Sequence, residues 1–327
     1  MSADQPGGAP TLGAPTDPHA GGYDPALAAA RRYYRDDQSK TEIAAALGIS
    51  RFQVARLLAQ ARREGLVRIE IGRPGRVDDE LSAALAQHLG LARAVVVATN
   101  PAAPSATLDY VGQALGAELV GAVREGATVG LTWSRAAAAL GRSVTGLACC
   151  TVVQLAGAVY PPDGLPGSVE VARAVAQVAG GVAHTVYSPL VVADAATADG
   201  LRRQPEVAAT LERAAHLDVV VLSVGAWKPR ASAVYDLVGE GEQRTLADRG
   251  VVGEVSGHVI DADGHLVLST LEDRVVGASL AQLAAVPVRL TSSHGAHRCE
   301  ATLAAVRAGL VNTLIVDDGL ARALLEG

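Results

Sequence analysis

From Tyr23 the apolar positions recur at helical spacing until about Val67. There a short alternating run, Val67-Arg68-Ile69-Glu70-Ile71, reads as a strand, and Gly72, Pro74 and Gly75 break the chain as a hinge. Asp78 to Leu89 then reads as a helix, with Leu81, Leu85 and Leu89 spaced by four. Beyond it, short β-branched runs alternate with helical stretches. The predicted strands are Ala94–Ala98, Thr128–Thr132, Thr151–Leu155, Asp218–Val224, His258–Asp261, Pro287–Leu290 and Thr313–Val316. The predicted helices are Thr107–Arg124, Ser168–Ala179, Glu206–Ala215, Arg298–Ala308 and Asp318–Leu325. Continuous apolar strands between helices imply an α/β fold with a mostly parallel sheet covered on both faces. No internal repeat is visible. Residues 1–22, rich in Gly, Pro and Ala, offer too little apolar surface to offset their ordering entropy and are predicted to be a disordered tail. The expected domains are therefore 23–76, small and helical, and 77–327, large and α/β.

Composition sharpens this picture in two places. The chain of 327 residues is 49% hydrophobic but has only two Trp, seven Tyr and one Phe, so its core must be Ala, Val and Leu. The net charge is −6, yet Asp24 to Arg76 carries eleven Lys/Arg against six Asp/Glu, a net of +5, which leaves −11 for the rest. A basic head on an acidic body suits a nucleic-acid-binding domain fused to a sensor; an ordinary solvated surface is the alternative. Cys149, Cys150 and Cys299 form no disulfide or zinc pattern. No apolar run is long enough to span a membrane, and the first residues carry no targeting signal, so a cytoplasmic protein is expected.

The sharpest local signal lies in the basic head. Ser39 followed by Glu42 is a capping box that starts a helix, with Ile43 and Leu47 on its inner face. Gly48 suits the left-handed end of that helix, Ile49 plugs the space between helices, and Ser50 caps a second helix running to about Glu64. Val54, Leu57, Leu58 and Ala61 face its core. Arg51, Phe52, Gln53 and Arg56 fall off that face near the N-terminus, where a recognition helix presents base-reading side chains to the major groove of duplex DNA. Arg matches guanine and Gln matches adenine in bidentate fashion. Ser39, Lys40, Thr41 and Ser50 complete the predicted DNA-binding set, Arg62, Arg63 and Arg68 suit phosphates, and the Val67–Ile71 strand forms one side of a wing. The alternatives are a generic three-helix bundle and, for Phe52, a place in the core.

In parallel sheets, ligands bind beyond the C-terminal ends of the strands. Two predicted loops sit there: Thr132-Trp133-Ser134-Arg135, and Ser292 to Arg298, with Ser293, His294, Gly295 and Arg298 as candidates. Helix N-termini and the guanidinium groups of Arg135 and Arg298 suit a phosphate or another anion. Lesser candidates are Gln154, Asp194, Lys228, His258 and Asp261. Asp261-Ala262-Asp263-Gly264 reads as a turn, because the further ligands of a calcium loop are absent. No acid/base pair is placed beside the loops, so no catalytic residue, metal site or cofactor is predicted.

The stretch Ala28 to Ile71 resembles the head of SorC-type transcriptional regulators, through Tyr33-Tyr34, Lys40-Thr41-Glu42-Ile43-Ala44, Leu47-Gly48-Ile49-Ser50-Arg51 and Leu57 to Arg62. The resemblance continues through Leu89-Gly90-Leu91, Val95-Val96-Val97, Gly130 to Arg135, Asp317 and Ala321 to Leu325. It implies a winged helix-turn-helix followed by a Rossmann-like effector domain similar in fold to sugar-phosphate isomerases and deaminases. It also implies a homodimer or homotetramer whose operator binding responds to a sugar, a sugar phosphate or a related polyol or acid. Two loops depart from the family pattern. Trp133-Ser134-Arg135-Ala136 stands where Trp-Gly-Arg-Thr is usual, and His294-Gly295 followed by Arg298 stands where Gly-Gly followed by Lys is usual. The competing readings are an isomerase- or deaminase-like enzyme with an added helical domain, and a large domain that serves only assembly.

Overall fold

The computed structural model describes residues 24–36, 38–67, 75–100, 106–161 and 164–327. The expected disordered tail, most of the wing strand at 67–71, and the hinge residues Gly72 and Pro74 fall outside the described residues. The chain divides into two compact units, 1–71 and 72–327.

Among the described residues, the first unit holds three helices: α1 (Pro25–Tyr34), α2 (Lys40–Leu47) and α3 (Arg51–Arg63). Small residues let them approach closely. Ala26, Ala29, Ala30 and Ala61 bury against Ile43, Val54 and Leu58, with Ile49 and Leu57 partly buried beside them. Gly48, at φ +66°, turns the chain out of α2; the left-handed region suits a residue without Cβ.

The second unit is an α/β sandwich. Its sheet is built from β1 (Arg93–Val97), β2 (Thr128–Leu131), β3 (Thr151–Gln154), β4 (Ala183–His184), β5 (Val219–Ala226), β8 (Val288–Ser292) and β9 (Thr313–Asp317). These seven run parallel in the order β1-β9-β8-β5-β2-β3-β4. Alternate side chains of each strand enter opposite layers, as the period of two requires. Val96, Val153, Val220, Leu222, Leu314 and Val316 enter one apolar layer. Val95, Val152, Val219, Val221 and Ile315 enter the other. The first layer is closed by α4 (Asp79–Leu89), α12 (Leu280–Ala284), α13 (Cys299–Arg307) and α14 (Asp318–Glu326). The second is closed by α5 (Thr107–Ala122), α6 (Leu140–Ser143) and α7 (Ser168–Ala179). Further short helices, α8 (Ala195–Arg202), α9 (Pro205–Glu212), α10 (Ala233–Leu237) and α11 (Glu240–Asp248), follow β4 and β5.

β4, α6, α8, α10, α11 and α12 lie outside the predicted set, and the segment 251–261 departs from the sequence expectation in its pairing. The His258–Asp261 run does not join the parallel sheet. It is β7 of an antiparallel hairpin with β6 (Val251–Val255), and β6 pairs with the last residues of β5. The hairpin turn is Ser256-Gly257, both at positive φ (57° and 96°), the backbone of a two-residue type I′ connection. β6 itself escaped prediction because Val-Val-Gly-Glu-Val interrupts its apolar run with a carboxylate.

Candidate functional site

A cavity of about 300 Å³ lies at the C-terminal ends of β2, β5 and β8, where the hairpin adds a wall. The loop after β2 supplies Thr132, Trp133, Ser134 and Arg135. Thr132 donates its backbone N–H and its hydroxyl to Val221 O, both at 3.1 Å, so the loop is tied to β5. The Trp133 indole N–H donates to Pro166 O at 2.9 Å, and Ser134 Oγ accepts the Ala137 N–H at 2.9 Å. The Ser134 hydroxyl thus caps the turn that follows it. Arg135 is half-buried and donates to Arg230 O at 3.1 Å.

The opposite wall is carboxylic. Glu254, on β6, is buried, with Oε1 accepting the Ser232 hydroxyl at 3.1 Å and Oε2 accepting the Gly257 N–H at 3.1 Å. Ser232 also caps α10, accepting the Val234 and Tyr235 N–H groups at 3.1 and 3.0 Å. Gly225 makes the approach possible, since a Cβ there would stand 2.6 Å from Glu254 Oε1. Burial pushes the Glu254 carboxyl above the usual range, against the pull of its two hydrogen bonds. Ser256 lines the same wall; its Oγ is buried without a partner among the described residues.

The loop after β8 supplies His294 and Arg298. Arg298 is only 4% exposed, and its guanidinium is held by His294 O, His297 Nε2 at 2.9 Å and Ala231 O at 3.1 Å. Burial, with Arg135 nearby, lowers its pKa to about 10, so it stays cationic at neutral pH. Burial and the adjacent cations lower His294 to about 3, so its imidazole is neutral there. The cavity therefore sets two guanidinium groups and a neutral imidazole against a buried carboxyl and two serines. Tyr160, 95% exposed, stands at its rim.

Six of the thirteen expected effector residues thus meet: Thr132, Trp133, Ser134, Arg135, His294 and Arg298. The other seven do not line the cavity. Gln154 is buried and bridges Ala156 O (2.7 Å) to the Val186 N–H (3.2 Å), holding the end of β3. Asp194 caps α8 through the Thr197 N–H, and Lys228 is exposed in the turn after β5. Both ring nitrogens of His258 are occupied, by Glu272 and by Ala278 O, each at 2.9 Å. Asp261 closes its turn on the Asp263 and His265 N–H groups. Ser293 bonds Thr302, and Gly295 gives its N–H to Asp317 Oδ1 at 2.6 Å. Sequence reasoning missed Ser232, Glu254 and Ser256; the only signal was a carboxylate inside an apolar run.

In the first unit, α2 and α3 form a helix-turn-helix around Gly48. The expected capping box of Ser39 with Glu42 forms, and the expected cap at Ser50 is also a full box, closed by Gln53. The caps commit side chains expected to face DNA. Ser50 Oγ accepts the Gln53 N–H at 3.2 Å, while Gln53 Oε1 accepts the Ser50 N–H at 2.8 Å. Lys40 lies over the Tyr33 ring, 5.8 Å from its centroid, and Thr41 is exposed. Arg51, Phe52 and Arg56 are exposed; Phe52, at 84%, is not a core residue.

A parallel α/β domain with a polar cavity at its strand ends, preceded by a helix-turn-helix, defines a ligand-sensing transcriptional regulator. Residues 76–326 match the family model described as "Putative sugar-binding domain". The chain belongs to this sugar-binding-domain family of SorC-type transcriptional regulators. It is similar to the transcriptional regulator YjhU of Escherichia coli (strain K12), 28% identical over 92% of this chain and 94% of the relative. It is also similar to the deoxyribonucleoside regulator of Bacillus subtilis (strain 168), 27% identical over 92% and 96%. Among solved structures, the full-length sorbitol operon regulator SorC from Klebsiella pneumoniae shares the fold. Its TM-score is 0.70 at 22% identity, over 92% of this chain and 98% of that one.

Proposed function

We propose that this protein is a DNA-binding transcriptional regulator whose operator affinity is set by a small polyhydroxy or sugar-like effector carrying an anionic group. The observation that carries this reading is the cavity, which opposes Arg135 and Arg298 to Glu254 at the strand ends of a sugar-binding-family domain. The cations suit a phosphate or carboxylate, and the carboxyl and serine wall suits hydroxyl donors. Thr132, Trp133, Ser134, Arg135, His294 and Arg298, joined by Ser232, Glu254 and Ser256, form the proposed effector site. Ser39, Lys40, Thr41, Ser50, Arg51, Phe52, Gln53 and Arg56 form the proposed operator face, with Ser39, Ser50 and Gln53 shaping the helix ends that present the rest. A cytoplasmic homo-oligomer acting on a two-fold operator fits this reading.

The test is operator binding at fixed salt, titrated against a panel of sugars, sugar phosphates, polyols and sugar acids. One class is expected to change the affinity of the native chain. Arg135→Ala is expected to keep operator binding and lose that response. No response from any panel member, with turnover of a sugar phosphate instead, would favour the enzyme reading.

A further inference from the structure

The chain's single phenylalanine lies at the second position of α3, 84% exposed. The buried stripe of α3 is Val54, Leu58 and Ala61. Phe52 belongs to the opposite stripe with Arg56, one turn on, and Arg63, two turns further. Long helical side chains lean toward the helix N-terminus, so the ring projects at the leading end of the helix. Two exposed cations flank it, Arg51 beside it and Arg56 one turn on. A polyanion complements that surface, and within DNA one major-groove feature is apolar, the 5-methyl group of thymine. Gln53, the residue otherwise suited to adenine, has its carbonyl oxygen turned back onto the Ser50 N–H at 2.8 Å. An adenine contact using both ends of that amide competes with the capping box for the same carbonyl oxygen.

We propose that Phe52 is a specificity-determining residue of the operator face, its ring contacting the methyl group of a thymine in the major groove. This rests on the DNA-binding reading of α2 and α3. Arg51 and Arg56 then fix the flanking guanine or phosphate positions, and the adenine paired to that thymine goes unread by Gln53.

The experiment starts from duplexes selected out of a random pool by the full-length native protein. Each thymine of the selected site is replaced in turn by uracil, which preserves pairing and backbone and removes only the methyl group. One position per half-site is expected to weaken binding about three- to five-fold, the worth of one buried methyl. Phe52→Ala is expected to bind thymine and uracil duplexes equally at that position. Its circular dichroism should match that of the native chain, since the exposed ring supports no packing. Uracil tolerated at every position overturns the inference, on native protein alone and without any variant. Sensitivity that survives Phe52→Ala overturns it as well, by giving the methyl to another residue. Failure to select any sequence overturns the DNA-binding reading itself, and this inference with it.

Discussion

Ser232 donates its hydroxyl to Glu254 Oε1 across 3.1 Å, joining the cap of a short helix to a carboxyl buried on the hairpin. Through this bond the loop after β5 and the β6–β7 hairpin form one wall of the cavity. The wall holds an ionisable group in a place where its charged form is disfavoured.

Because burial raises the Glu254 pKa in the folded state, the folded chain binds the proton more tightly than the unfolded one. The associated stability is present below the ordinary carboxylate pKa of about 4.3 and is lost as pH rises through the folded value. Glu254→Gln removes the titration. The melting temperature of Glu254→Gln minus that of the native chain should therefore rise between about pH 4 and pH 8. A difference that is flat with pH would show that Glu254 is ionised in the fold at no cost.

His294 gives the opposite slope. Its pKa falls to about 3 through burial and the charges of Arg298, His297 and Arg135. Stability from the neutral imidazole is present above the unfolded value, 6.5, and is lost as pH falls toward 3. His294→Asn should lose less stability than the native chain over that acid range, as read by thermal melts in matched buffers.

Ser256 occupies a left-handed turn position in the cavity wall, and its buried hydroxyl has no partner among the described residues. Ser256→Gly relieves the backbone strain but adds freedom to the unfolded chain, so stability should change by less than about 1 kcal/mol. Effector affinity should fall about three- to ten-fold as one hydrogen bond is lost. Calorimetric titration beside a thermal melt separates the two effects.

Gly48→Ala places a Cβ at φ +66° with open space around it, so only backbone strain opposes it. A cost of about 1 kcal/mol is expected in the first unit. Operator binding should weaken, while effector binding, measured separately, should match that of the native chain.

The elements that could be read from sequence were those whose signal is local. Ser168–Ala179 was bounded correctly because its apolar period and the following Gly180 agree. The caps at Ser39 and Ser50 were legible because a cap needs only residues three apart. Helix α11 was missed because Glu-Gly-Glu-Gln-Arg-Thr-Leu-Ala-Asp carries one large apolar residue, Leu246, and its other ties are polar, from Gln243 to Tyr235 O and Val238 O and between Arg274 and Glu242. Arg298 was expected to supply charge and bidentate geometry to an anion, and three of its own chain's acceptors hold its guanidinium. Its removal disturbs the loop as well as any ligand, which is why Arg135 is the cleaner probe.

The sequence by itself determined the helix-turn-helix, the alternation of strands and helices, and the two loops leading out of β2 and β8. Each is written in spacings of two to four residues, the range over which backbone hydrogen bonds and side-chain periodicity act. The tertiary structure decided which polar groups share a cavity. Glu254 meets Ser232 from 22 positions away, and His258, with the same local appearance as a site residue, spends both nitrogens on Glu272 and Ala278. Such partnerships depend on strand order and hairpin placement, which arise from burial of the whole sheet and leave no trace in local spacing.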